Sequence, residues 1–238
     1  MKYNRIGEGP LVIYIPGLDG TGQLFVRQIE QLKSKFTVIT FALRNQAPFT
    51  YSDLVSDVLS ILDEEKIQKA IIVGESFGGT IALHFALEHQ NRIDRLILVN
   101  TFPFFRKRLR LKLARLLLPF AFVPLVRKGR DILARPVLLS ELVDDKGIEV
   151  LLKFSWTHNY ETYVQRLKLI ASVDVRSHLP EIKVPVTIVA AGRDKIVASM
   201  KEAKLMADRI PNAQIHPLPK HGHACLLSGS FSIASIIK

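Results

Sequence analysis

Residues 71–80 read IIVGESFGGT: an apolar run meets a glycine, and a lone serine then sits between that glycine and two more. The stretch Gly74-Glu75-Ser76-Phe77-Gly78 fits G-x-S-x-G, with Gly79 extending it. In that pattern the chain turns from strand to helix within about one residue, which forces the serine into a strained backbone conformation. Side chains two before and two after the serine would collide with neighbouring backbone, so both positions are glycine. The turn lifts the hydroxyl above the strand end, over the N-terminus of the next helix. The N–H of Phe77 then points at whatever oxygen gains charge when Ser76 attacks a carbonyl. A serine alone is a weak nucleophile; it needs a base, and the base needs an orienting acid. Ala191-Gly192-Arg193-Asp194 and Lys220-His221-Gly222-His223 supply both residue types. The competing reading is plainer: a glycine-rich turn that lets a helix pack close to a strand, and an ordinary charged turn at Gly192–Asp194.

For these residues to meet, the elements must deliver them to one edge. LVIYI (11–15), FTVITFA (36–42), KAIIVG (69–74), RLILVN (95–100), PVTIVAA (185–191) and AQIHPL (213–218) read as six strands. Helical spacing falls between them at 21–35, after Ser52 as an N-cap, at 77–90, at 200–209, and in a short piece near Ala224. Continuously apolar strands alternating with helices predict a mostly parallel sheet with helices on both faces. Loops after parallel strands open on the same edge, so Ser76, Asp194 and His223 can converge there, with His221 as a competitor for the base. The alternation breaks once, between Phe102 and His178, where only helix-like pieces punctuated by prolines occur. The expectation is one domain, 1–238, with a helical lid inserted at 102–178.

The motifs PGLDG, GESFGG, GRD and GHACLL fall in that order on those elements. Together they resemble the α/β-hydrolase-fold serine esterases, lipases and acyltransferases over nearly the whole chain. The likeness extends to the branch of phytyl-ester-synthase-like acyltransferases and their bacterial esterase relatives. The resemblance implies the α/β-hydrolase fold and a triad of Ser76, Asp194 and His223, the last because relatives place the base after a glycine and before a short helix. His221 then shapes its loop. Relatives carry a His-Gly or Pro-Gly pair after the first strand, so the N–H of Leu18 would join that of Phe77 in an oxyanion hole. The fold's alternative acid position, at the end of the strand before the insertion, reads Val99-Asn100-Thr101 and offers no carboxylate. The likeness also implies hydrolysis of carboxylic esters without a cofactor. Acyl transfer, haloperoxidase-like or carbon–carbon hydrolase chemistry, and a non-catalytic lipid-docking role on the same scaffold stay open.

The net charge of +11 is concentrated: ten basic residues and one acid, Asp131, lie between Phe102 and Arg135. Three readings of that stretch compete. One is a lid helix with an apolar stripe and solvated arginines. Another is an acyl-binding tunnel formed by Phe102, Phe104, Phe105, Leu117, Phe120 and Trp156. The third is docking of 104–130 on anionic lipid. Nucleic-acid binding fails because leucines, not polar or stacking residues, interleave the charges. No H-x-x-x-H pair or cysteine cluster suggests a metal. His84 reads as a packing histidine. A single cysteine, Cys225, no spanning run and a first decapeptide unlike a secretory signal together predict a cytoplasmic protein.

Overall fold

A computed structural model describes residues 2–106, 137–154 and 160–237. Among the described residues seven strands form one sheet: β1 (Tyr3–Ile6), β2 (Leu11–Ile15), β3 (Thr37–Phe41), β4 (Ala70–Glu75), β5 (Ile93–Val99), β6 (Val186–Ala191) and β7 (Ala213–Leu218), in the order β1-β3-β2-β4-β5-β6-β7. Every pairing is parallel except β1 with β3, which runs antiparallel from Tyr3 opposite Phe41 to Ile6 opposite Val38. The sequence predicts six strands and misses β1. Tyr-Asn-Arg-Ile is short and mostly exposed, an edge strand that carries no apolar signal.

The central strands are buried at every position, because both faces are covered. On one face Leu11, Ile13 and Ile15 meet helices α2 (Tyr51–Glu64) and α3 (Phe77–Glu88) in the larger core. On the other, Val12 and Tyr14 pack with Phe25, with Leu32 of α1 (Val26–Leu32), and with Phe231 and Ile233. Helix α2 begins one residue after Thr50, whose side chain accepts from the Asp53 amide while Asp53 caps back. This capping box displaces Ser52, the expected cap, into the first turn because Thr50 has an acid three residues on and Ser52 does not. Helices α4 (Asp145–Phe154) and α5 (Tyr160–Ser172) precede β6, and α6 (Ser199–Ala207) links β6 to β7.

Topology selects the functional edge. After β2 the chain moves outward to β3, then returns across β2 to β4. The loops leaving the adjacent ends of β2 and β4 therefore depart in opposite directions and leave a crevice, the place where open α/β sheets bind ligands. Leu18 and Ser76 stand on its two sides. Among the described residues no helix is long and apolar enough to cross a membrane.

Candidate active site

Ser76 has φ 52° and ψ −115°, a conformation that an L-residue adopts only when its surroundings impose it. The elbow is imposed on both sides. A Cβ at Gly78 would fall 2.2 Å from the Ile15 carbonyl oxygen, and one at Gly74 would fall 2.7 Å from the Gly78 carbonyl oxygen. The serine backbone is then held in place: its N–H donates to the Val99 carbonyl at 2.9 Å, and its own carbonyl accepts from Thr101 Oγ1 at 2.6 Å.

The side chains meet as a chain of hydrogen bonds. His223 Nε2 lies 3.0 Å from Ser76 Oγ, and His223 Nδ1 lies 2.7 Å from Asp194 Oδ2. A carboxylate can only accept, so Nδ1 carries the proton and Nε2 faces the serine hydroxyl as acceptor. Asp194 is itself saturated. Its Oδ1 accepts from the amides of Ile196 and Val197 at 2.8 and 3.0 Å, and its Oδ2 also accepts from the Ser199 hydroxyl. Burial pushes the Asp194 carboxyl up, but the charge and hydrogen bond of His223, with Ser199 and Val197, outweigh it and hold the group below its ordinary value. For His223 burial pulls down; the charge and hydrogen bond of Asp194 and the charge of Glu75 together raise it above its ordinary value.

Opposite the elbow, the Gly20 amide donates to the Gly17 carbonyl at 3.0 Å and closes a turn over 17–20. A Cβ at Gly17 would sit 3.5 Å from that of Ser76, so the turn lies directly against the serine. Among the described residues, the amides of Leu18 and Phe77 donate to no protein acceptor. Asp19 Oδ2 accepts from the amide and hydroxyl of Thr21, whose Oγ1 in turn accepts from the Gln23 amide; these bonds brace the loop, while the helical turn that follows starts from Gly22 without a side-chain cap.

Several supporting residues carry little signal in the sequence. Glu75, beside Ser76, is 5% exposed and accepts a hydrogen bond from the Tyr14 hydroxyl; burial first of all pushes its carboxyl up to about 7. Asn100, at the fold's alternative acid position, has φ 47° and is fully buried. It does not address the imidazole. Its Nδ2 donates to the His223 carbonyl at 2.7 Å, and its Oδ1 accepts from the Ala191 amide at 2.8 Å, tying the His223 loop to the end of β6. A polar residue closing an apolar strand is the signal that marks it. His221 bonds Ser230 Oγ at 3.1 Å through Nε2 and so braces its loop, and His84 stacks on Tyr51 with rings 4.2 Å apart.

Phe102, Phe104 and Phe105 line a small, open recess with Arg106, Ile196, Val197, Ala198 and Glu202; Ser76, Asp194 and His223 are not among its walls. Phe104 lies between the guanidinium groups of Arg106 and Arg176, and Arg106 also pairs with Glu202. Leu117, Phe120 and Trp156, and nearly all of the 104–130 stretch, lie outside the described residues.

A family model described as the alpha/beta hydrolase fold matches residues 10–230. A Caulobacter sp. (strain K31) protein named "Putative carbamate hydrolase RutD" is 25% identical, over 93% of this chain and 88% of its own length. Phytyl ester synthase 1, chloroplastic, of Arabidopsis thaliana is 26% identical over 98% of this chain, which spans only 37% of that protein. Among solved structures, the esterase EaEST from Exiguobacterium antarcticum superposes with a TM-score of 0.83 at 20% identity, covering 94% of this chain and 89% of that one.

Proposed function

The chain belongs to the alpha/beta hydrolase fold family, and from that premise we propose that it cleaves carboxylic esters through Ser76, His223 and Asp194. The observation that carries this reading is the continuous relay from Ser76 Oγ through both nitrogens of His223 to Asp194. His223 takes the hydroxyl proton at Nε2 as Ser76 Oγ bonds the ester carbonyl carbon. The tetrahedral oxyanion is received by the amides of Leu18 and Phe77, each worth about 3 kcal/mol of transition-state stabilisation. The intermediate collapses as the C–O bond to the alcohol breaks, and His223 returns the proton to the departing oxygen. Water then attacks the acyl-enzyme by the same route in reverse, releasing the acid and restoring Ser76. Asp194 keeps its charge throughout and stabilises the imidazolium. The segment 102–178 acts as a cap in one domain: α5 reaches the 17–20 turn, and Phe104 bridges Asp174.

A second reading is acyl transfer, in which an alcohol replaces water; the phytyl ester synthase relative, which this chain matches along 98% of its length, favours it. The RutD relative's name adds a carbamate as a neighbouring substrate class. The deciding assay is hydrolysis of p-nitrophenyl esters of increasing chain length and of a p-nitrophenyl carbamate, with Ser76→Ala and His223→Ala as controls. Product partition with added long-chain alcohol separates the two fates of the acyl-enzyme. Turnover that persists in Ser76→Ala, or a folded wild type that cleaves no substrate, would sink the reading. The second result would promote a non-catalytic lipid-docking protein.

A further inference from the structure

Arg166, on α5, is fully buried. Among the described residues it forms no ion pair, although a buried guanidinium ordinarily has a carboxylate partner. It is given backbone carbonyls instead. Nη1 donates to Leu18 O at 2.9 Å and to Asp19 O at 3.2 Å, and Nη2 donates to Arg44 O at 3.2 Å, while Nε has no partner. A Cβ at Gly20, where φ is 68°, would fall 2.4 Å from Nη1, so this glycine leaves the space that the guanidinium occupies against the turn. The carboxylate of Asp19, whose charge acts on Arg166, is turned toward Thr21. The peptide from Gly17 to Leu18 is held by the Gly20 amide, and the next peptide by Arg166. Were the first to turn over, a carbonyl would stand where an oxyanion needs an N–H. Resting on the serine-hydrolase reading above, we propose that Arg166 is a positioning residue. The last helix before β6 sends its guanidinium under the 17–20 turn to aim the Leu18 amide, so the oxyanion hole is complete only while that helix is docked. Gln165 and Tyr51 fasten the same helix, through the Phe49 carbonyl at 2.5 Å and the Leu169 carbonyl at 3.3 Å.

The test compares Arg166→Lys and Arg166→Met with wild type. Active sites are titrated to completion with a fluorophosphonate, kcat and KM are measured on p-nitrophenyl butyrate, and inhibition is measured with a trifluoromethyl ketone, whose adduct carries an oxyanion. Lysine keeps the charge but not the planar fork that serves three carbonyls, so both variants are expected to fail. The expected result is a fall of about 10- to 100-fold in kcat per titrated site, KM within about threefold, and a matching loss of ketone affinity. A purely structural role would lower the melting temperature and the titratable fraction and leave kcat per site alone. Retention of kcat per site within about threefold overturns the proposal, and so does collapse of the fold in both variants. If wild type has no titratable serine, the serine-hydrolase reading itself falls. If wild type is active and the variants match it, only the inference about Arg166 falls.

Discussion

The elbow that carries Ser76 and the turn that carries Leu18 face each other across the crevice, yet they are held by opposite means. The elbow is built from consecutive residues: a strand, two glycines that backbone contacts exclude from being anything else, and a helix that starts at once. The turn has a single internal hydrogen bond, from Gly20 to Gly17, and is otherwise tied from outside, by the Leu43 amide at the Gly20 carbonyl and by a side chain 148 positions away at the Leu18 carbonyl. The first device is written in one short stretch of sequence and is strained, with Ile15, Val99 and Thr101 enclosing it. The second is remote and electrostatic, and it depends on where a helix docks. Two halves of the proposed catalytic edge can therefore fail separately, one through backbone sterics and the other through loss of tertiary contact.

The largest effects should come from the elbow side. Ser76→Ala and His223→Ala should each lower kcat on the ester series by roughly 10⁶-fold, and the double variant should fall no further, because the two act as one unit. Asp194→Asn should cost about 10⁴-fold, since an amide can present the wrong hydrogen-bonding edge to Nδ1 and favour the wrong tautomer; a loss below about tenfold would show that this carboxylate does not set the imidazole. Gly78→Ala should remove about 3 kcal/mol of stability or prevent folding, read by urea titration, because the new methyl meets backbone that cannot step aside. Gly20→Ala sharpens the comparison: its methyl would meet the Arg166 guanidinium at a φ of 68° that disfavours any side chain, so the urea midpoint and kcat should fall together, whereas Arg166→Met should lower kcat at unchanged Gly20 backbone.

The smallest effect is in pH dependence. His223 must be neutral to act as base, and its value lies above the ordinary 6.5. The acid limb of kcat/KM should therefore fall at a pH above about 6.5. Glu75→Gln removes one of the charges that raise His223, so that limb should move to lower pH by less than about one unit. A limb that stays in place would show that Glu75 does not reach the imidazole. Stability runs the other way. The raised His223 contributes stability that is full below 6.5 and lost as pH rises through its folded value. The lowered Asp194 contributes stability that is full above 3.8 and lost as pH falls through its own. The relay is thus most stabilising on the acid side of the range in which it can act. Glu75, raised from 4.5 to about 7, costs stability as pH climbs between those values, so Glu75→Gln should gain on wild type across that window in thermal melts.

Six of the seven strands, the order of the motifs and the elbow were legible in the sequence, because each rests on local physics: apolar runs, helical spacing, and glycines where a turn leaves no room. Ser76, Asp194 and His223 were legible as candidates for the same reason, since each sits in a short motif just past a strand. Less legible were groups defined only by what surrounds them. Asn100 looked like a missing acid and proves to be a clasp between two loops. Glu75 fills an unspecified place in G-x-S-x-G and is a buried carboxyl that accepts from Tyr14. Arg166, which no sequence motif singles out, is enclosed against the 17–20 turn.

The amino-acid sequence by itself determined the layered α/β architecture and the edge at which chemistry-bearing side chains gather, because strand burial and chain direction follow from pattern and connectivity. Tertiary structure alone decided which imidazole nitrogen meets Ser76, what Asp194 feels, and which distant cation steadies the Leu18 turn. Distances, burial and carbonyl orientation arise only when segments far apart in the chain pack together, and no local pattern encodes them.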